Sequence, residues 1–488
     1  MSMLNSKVIE IFKTFSPGEM KRFGEFLISP FHNKNKKAVI LFDLLNKFHP
    51  EFENKNLTKE KLFSKIFTSD SRQYKDALIR NLLSDLMMLA EKYLAVSRFE
   101  KDSFDFNEKI LSGLNERKLS NIFDRKIKQV SDITGKNGFY GEEYFYEKFI
   151  LEELKSSNRQ FSDNLKLYKD NSLIKASEYL SFYYLIKIFK LVNFFEYQKL
   201  YNADSDSNFA LSLIGDFDPE RSLNKLKNTG VSGNEIKILM VYYKMYRSII
   251  NSDNDDLYLD FKNSLLENGK LFSGLERLGL FICLTNCCVK KIDSGKEFFA
   301  NECFNVYMLM LDQNLYSYYP GYFPMSAFSA VLHTGLSSGE FRRIEIFISS
   351  YSSRLNPEHK KDAVNYSMAQ ISFHKKEYQK ALEYILKTDT DFSQFKFLLK
   401  ILSLKIFYET EDYESLYYVS DSFQHFLNNN KLVGEKYRTE FRNFIKALDL
   451  LVKYRTEKRN EAKYKIKQFL EIKSMAGKKW LMEKFSEI

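Results

Sequence analysis

Four cysteines form the one cluster of residue types in this 488-residue chain that could bind a metal ion. Cys283 and Cys287 lie one helical turn apart, and Cys288 and Cys303 could approach them. Structural zinc sites usually take closely spaced cysteine pairs from turns, whereas this cluster falls inside an apolar, helix-like run. Free cysteines are often buried where two helices pack closely. We therefore predict four core thiols, no metal site and no disulfide framework.

Other catalytic signatures are missing from the sequence. The histidines are scattered, and none stands in the H-E-x-x-H spacing of a zinc hydrolase. The chain also lacks a phosphate-binding G-x-x-x-x-G-K-[ST] loop and a G-x-G-x-x-G fingerprint. We therefore predict no catalytic residue, no cofactor and no enzymatic activity.

A possible nucleic-acid site lies near the N-terminus. Residues 58–67 and the helix predicted to follow them have the proportions of a helix-turn-helix. Arg72, Gln73, Lys75 and Arg80 stand near the start of the second helix and could reach a major groove. Two consecutive helices also occur in any helical protein, and nearby aspartates dilute the positive charge. The alternative interpretation is a packing domain with a solvated face.

The net charge of +10 is compatible with an anionic partner but does not require one. Lysine greatly outnumbers arginine, the residue best suited to bidentate phosphate and base contacts. Abundant Lys, Asn, Ile, Phe and Tyr are also what an AT-rich genome would encode. Positive charge is concentrated over 1–100 and 431–488. The basic C-terminus is interpreted either as a patch for an anionic partner or as a terminal helix that caps a repeat array.

Helix signals dominate the remaining pattern. Only 7 prolines and 18 glycines interrupt the chain, and their scarcity predicts an all-α fold of long helices with short connections. Ser16–Glu19 has the pattern of a capping box, and Thr58 is placed to cap another helix. We predict an N-terminal helical domain over 1–100, a linking helical region over 101–137 and a helical-repeat region over 138–488.

An internal repeat supports the last of these regions. Residues 366–385 are echoed about 35 residues later by 401–420, and both combine an apolar helical stripe, a polar turn and a second apolar helix. Tyr378 and Tyr413 follow the turns, and Phe341 is placed in the same way one period earlier. Periods of this size are typical of stacked helix pairs, which build binding surfaces.

The segment Asn365–Ile385 resembles a tetratricopeptide repeat. Ala369 matches the small residue of that family's first helix, and Tyr378 and Ala381 match the aromatic and small positions that open its second. In the next copy, leucines replace the small residues, so the helices there should stand further apart. The resemblance implies an irregular, right-handed α-solenoid that follows an N-terminal helical bundle.

The same resemblance implies a groove lined by the first helix of each pair. The positions that would face it are Tyr366, Gln370, Phe373, His374, Lys405, Tyr408 and Glu409. Aromatic and amide groups there could hold an extended or helical peptide. The lysine and asparagine clamp that some family members use for C-terminal carboxylates is absent from these positions. Phe373 and Tyr408 are equally well explained as core residues.

The whole chain also resembles an uncharacterised family of large helical proteins of Bacteroidota-type bacteria. The similarity lies in three sequence segments, FLISPFHNKNKK, LIRNLLSDLMML and CLTNCCVKKIDSG. It implies an all-helical bacterial protein and brings no activity with it.

The function expected from the sequence is a cytoplasmic, non-enzymatic scaffold that binds a protein or peptide. The first residues lack the apolar core of a secretory signal, and the longest apolar runs fall short of the roughly 20 residues that span a bilayer. The alternative is a DNA-linked regulator, with a helix-turn-helix-like N-terminal domain and a partner-sensing solenoid.

Overall fold

The structure is a computed structural model of the chain. It describes residues 6–55, 57–67, 74–101, 103–135, 138–160, 171–198, 221, 233–388, 393–429, 435–457, 464–468 and 475–487. Throughout these residues the regular secondary structure is helical and no strand occurs, which confirms the all-α prediction. Among the described helices, none is both long enough and apolar enough to cross a membrane.

The helices are numbered in chain order. Helices α1 to α9 are Lys7–Thr14, Pro17–Ile28, Lys36–Asn46, Lys59–Ile66, Asp76–Lys101, Ser103–Glu116, Ser120–Ile133, Glu142–Gln160 and Ser172–Gln198. Helices α10 to α15 are Gly233–Ile250, Asp255–Asn268, Gly274–Asp293, Phe299–Asp312, Met325–Ser337 and Phe341–Tyr351. Helices α16 to α21 are Pro357–His374, Tyr378–Leu386, Ser393–Glu409, Tyr413–Asn429, Glu435–Glu457 and Lys478–Ser486.

The chain divides into two compact units. Unit 1 comprises Met1–Lys136 and Glu147–Ser177, and unit 2 comprises Asn137–Tyr146 and Glu178–Ile488. In unit 1 the long helix α5 contacts each of α1, α2, α3 and α4. Buried aromatic and aliphatic side chains from all five helices form one continuous core there. Unit 2 has separate cores of its own.

Two helix starts in unit 1 confirm the capping patterns of the sequence. The Glu19 amide donates to Ser16 Oγ at 3.2 Å, and the Ser16 amide donates to Glu19 Oε2 at 2.9 Å. At the next capped helix the Lys61 amide donates to Thr58 Oγ1 at 3.4 Å. These side chains satisfy backbone groups that have no partner inside the helix.

The helices of unit 2 pack mainly against their neighbours in sequence. Contacts join the two members of each pair from α10–α11 to α18–α19. Further contacts join first helices of neighbouring pairs, namely α10 to α12, α14 to α16 and α16 to α18. Local pairing of this kind brings side chains from successive first helices onto one face.

Four successive pairs in unit 2 close with the same turn. The residues in the left-handed region are Gly295, Gly339, Lys376 and Glu411, with φ values of 97°, 73°, 62° and 58°. In each turn the following amide donates to the carbonyl five residues earlier, at 2.8 to 3.0 Å. This is the long hydrogen bond of a Schellman cap. Phe341, Tyr378 and Tyr413 each begin the next helix, so the weak sequence period follows a repeated backbone geometry.

Candidate functional site

A group of polar side chains lies on successive first helices of unit 2. We define the first-helix face by His333 of α14, Gln370 and His374 of α16, and Lys405 and Glu409 of α18. Residues four apart share one side of a helix, which places Gln370 beside His374 and Lys405 beside Glu409. His374 is exposed, and the other four are half-buried.

A hydrogen-bonded chain joins α14 to α16 beneath this face. Gln370 Nε2 donates to the Tyr366 hydroxyl at 2.8 Å, and that hydroxyl lies 3.2 Å from His333 Nε2. Burial lowers the pKa of His333 to about 4, with a further contribution from the charge on Lys405. The imidazole is therefore neutral at pH 7. A neutral imidazole has one nitrogen that donates and one that accepts, so it can pair with the Tyr366 hydroxyl without carrying charge.

Lys405 carries the unusual charge of the site. Within the described part of the chain, its Nζ has no hydrogen bond and no carboxylate at ion-pair distance. It lies over the Trp480 ring, 5.6 Å from the ring centroid. Burial lowers the pKa of Lys405 to about 8, although the carboxylates of Glu483 and Glu409 act in the opposite direction. At pH 7 the group is thus an ammonium that has lost water and that has no carboxylate of the described residues within ion-pair distance.

Helix α21 packs against part of the same face. Trp480 is 7% exposed, and its indole Nε1 donates to Glu409 Oε1 at 2.9 Å. Lys484 lies one turn later and forms an ion pair with the same carboxylate at 3.0 Å. The Trp480 ring also meets the Tyr408 ring edge-on, with 5.3 Å between the centroids. A helix of the chain itself therefore binds here through an aromatic anchor and a lysine.

The structure separates the seven predicted groove residues into two groups. Tyr366, Phe373 and Tyr408 are 1%, 9% and 2% exposed, so they lie in the core under the face. Of the remaining four, His374 is exposed, and Gln370, Lys405 and Glu409 are half-buried. Trp480 and His333 also belong to the site, but neither is among the groove residues predicted from the sequence. A signal for the first was present, because Trp480 is the chain's single tryptophan.

The predicted nucleic-acid residues are placed differently. Arg72 and Gln73 lie outside the described residues, and Lys75 is exposed. Arg80 Nε forms an ion pair with Asp76 at 2.7 Å, and Lys59 Nζ approaches the same carboxylate at 3.1 Å. Asp76 thus neutralises part of the positive charge at the start of α5. The nucleic-acid interpretation stays a prediction.

The four cysteines are free and buried. Burial raises the pKa of the Cys283 and Cys287 thiols to about 12, so neither is a thiolate at neutral pH. Their nearest polar contacts are separate: Asn193 Nδ2 lies 2.9 Å from Cys283 Sγ, and Ser248 Oγ lies 3.6 Å from Cys287 Sγ. Among the described residues, no group of three or more His, Cys, Asp or Glu side chains is arranged to hold a metal ion.

The class of protein that these observations define is an all-α protein with paired helices. Comparison with family models, with curated proteins and with solved structures gave no match. The first-helix face is therefore the feature of the molecule that suggests a function.

Proposed function

We propose that this protein is a non-enzymatic scaffold that binds another protein or peptide through the first-helix face. In this proposal unit 2 is an irregular, right-handed tetratricopeptide-like solenoid that follows an N-terminal helical bundle. The four repeated turns and the contacts between successive first helices support the solenoid.

The observation that carries the proposal is the docking of α21. This helix is held by the buried Trp480, by the bond from its indole to Glu409 and by the ion pair of Lys484. The face therefore has the chemistry of a helix-in-groove site, in which an apolar anchor gives affinity and polar pairs fix the register. The same face also includes the exposed His374 and the half-buried Lys405 and Gln370.

Site-specific photo-crosslinking tests this function. A photo-reactive amino acid in place of His374 would report on molecules that approach the face in cells that naturally make the protein. His425 provides the control position, because its side chain is 73% exposed on α19, a second helix. We expect a discrete cross-linked protein from position 374 that is missing from position 425.

Two crosslinking outcomes would contradict the proposed function. A pattern that is the same at both positions, or the absence of any discrete product at position 374, would contradict a partner site on this face. Adding Trp480→Ala to the position-374 protein should alter the yield, because α21 borders the face.

A further inference from the structure

We infer that the first-helix face contains a carboxylate-binding site centred on Lys405, with the carboxylate supplied by the partner. This inference rests on the proposed function, and it names the chemical group that the scaffold recognises. The group can belong to an acidic side chain or to a chain terminus, since both present the same pair of oxygens.

Among the described residues, no carboxylate forms an ion pair with Lys405. A charged group that is taken out of water costs free energy unless a partner of opposite charge compensates for it. Lys405 is half-buried, and in the described part of the chain its ammonium contacts the face of Trp480 but no carboxylate. Glu409, the carboxylate one turn away, is already engaged by Trp480 and Lys484. A negative group from outside would complete the site.

Lys405 shares the first-helix face with other side chains that can donate hydrogen bonds. Lys405 has three N–H groups, and His374 presents an exposed imidazole on the neighbouring first helix. Gln370 lies on the same side of α16, where its amide is oriented by the Tyr366 hydroxyl at 2.8 Å. His333 is neutral and holds that hydroxyl from the other side. Burial, together with the nearby Lys405 charge, lowers the pKa values of His333 and His374 to about 4 in each case, so both are neutral at pH 7 and neither can balance that charge.

The charge balance favours a singly charged ligand. The two side chains whose charges act on Lys405 are Glu483 and Glu409, and both are negative. For a doubly charged phosphate, the attraction to Lys405 and the repulsion by these carboxylates both double. One ammonium balances the single charge of a carboxylate, whereas it leaves the second charge of a phosphate unpaired, which is costly away from water. Lys479 is nearby but forms an ion pair with Glu297 at 2.8 Å. One ammonium with these neighbours suits a carboxylate.

Trp480 provides a reporter at the site. It is the one tryptophan in the sequence, and the Lys405 ammonium lies over its ring. We would titrate the full-length protein with N-acetylglycine and with N-acetylglutamic acid α-amide while recording tryptophan fluorescence. N-acetylglutamine amide is the neutral control, and inorganic phosphate is the anion control.

A saturable fluorescence change with one or both carboxylates, but not with the neutral amide, is the expected result. The carboxylate that binds more tightly identifies the source, a terminus or a side chain. Lys405→Met should weaken this binding by about tenfold or more, since charge-assisted hydrogen bonds are among the stronger polar contacts. Lys405→Gln should do the same, and circular dichroism shows that each variant is folded.

Lys400→Met is the matched control. Lys400 is also half-buried on α18, but its Nζ donates to Ser422 Oγ of α19 at 3.1 Å. This variant should bind the carboxylate like the wild type. Equal binding of the neutral amide, equal or tighter binding of phosphate, or unchanged binding in folded Lys405 variants would each overturn the inference.

The two proposals fail in different ways. If position 374 captures a partner but the Lys405 variants bind carboxylates normally, the scaffold function stands and the carboxylate site is refuted. If carboxylates bind at Lys405 but crosslinking yields no discrete product, the site stands and the scaffold function is refuted.

Discussion

Lys405 is a partly desolvated lysine without an ion-pair partner among the described residues. Desolvation lowers its pKa to about 8, and no carboxylate of the described residues pairs with it. A buried charge that lacks a partner reduces the stability of a fold. Residues of this kind are found where a protein gives up stability for binding or catalysis.

Replacing Lys405 by methionine should therefore stabilise the protein. Methionine keeps the length and apolar stem of lysine and removes the charge, so we expect a gain of about 1 kcal/mol at pH 7. The folded pKa of about 8 lies below the ordinary value of lysine, so the unfolded chain binds more protons between these two pH values. Wild-type stability should rise with pH across that window, and the variant should lack this contribution.

Urea unfolding of the wild type and of Lys405→Met at pH 7 and at pH 10 measures the effect. At each pH, the free energy of unfolding of the variant minus that of the wild type cancels the titration of groups that both proteins share. Lys400→Met also removes a desolvated charge, since burial lowers the pKa of Lys400, but it loses the hydrogen bond to Ser422 as well, so any gain should be smaller than that of Lys405→Met. A Lys405 variant that is clearly less stable at pH 7 would show that its ammonium has a stabilising partner.

The Schellman turns have the same backbone geometry although their residues differ. Gly339, Lys376 and Glu411 occupy equivalent positions, and two of the three carry a side chain at positive φ. A left-handed backbone costs an ordinary residue roughly 1–2 kcal/mol, whereas glycine adopts it freely. The turn geometry must therefore be imposed by packing of the paired helices.

Lys376→Gly should stabilise unit 2 by about 0.5–1 kcal/mol, since glycine relieves the backbone at φ 62°. The reciprocal substitution is Gly339→Ala. An added Cβ at Gly339 would meet no atom within 4 Å, so its effect comes from the backbone at φ 73° alone. We expect that variant to lose a similar amount in thermal unfolding. Shifts of the same sign in both variants would disprove the explanation.

The docking of helix α21 depends strongly on the side chain of Trp480. Trp480→Ala removes a buried ring and the hydrogen bond to Glu409, and large-to-small substitutions of this kind cost about 3 kcal/mol or more. Local opening of α21 should then become roughly a hundredfold more frequent. Hydrogen exchange over residues 475–487 measures this. Met482→Ala on the exposed side of α21 should leave exchange unchanged, since Met482 is 50% exposed.

At the scale of the whole molecule, the two units have separate buried cores. In unit 1 one core joins α1 to α5, and a smaller one includes Leu111 and Phe123. The cores of unit 2 contain residues from Phe145 to Leu481. Compact units with their own cores usually unfold as separate cooperative transitions.

We expect core substitutions to act on one unit at a time. Leu86→Ala and Leu448→Ala each empty a position that is 0% exposed, one in each unit, and each should cost about 2–5 kcal/mol. Tryptophan fluorescence follows unit 2, which contains the single tryptophan, while circular dichroism follows both units. Leu448→Ala should shift the fluorescence transition and Leu86→Ala should not. Equal shifts in both variants would mean that the molecule unfolds as one cooperative unit.

The sequence by itself determined the local features of this protein. Helix content follows from the scarcity of proline and glycine, and the caps at Ser16 and Thr58 follow from side chains that lie within three residues of their targets. The starts of α15, α17 and α19 at Phe341, Tyr378 and Tyr413 were likewise visible as a weak period. Each of these signals depends on near neighbours in the chain, so no knowledge of distant contacts is needed.

Only the tertiary structure decided which candidate residues share a site. Tyr366, Phe373 and Tyr408 have the helical spacing of groove residues, but packing of neighbouring helices buries them. Trp480 meets Glu409 across 71 positions of sequence, and His333 meets Tyr366 across 33. Helical periodicity specifies which residues share one side of a helix. It does not specify which distant helix covers that side. Here α21 covers it, and because Trp480 and Lys484 bind Glu409, that carboxylate does not form an ion pair with Lys405.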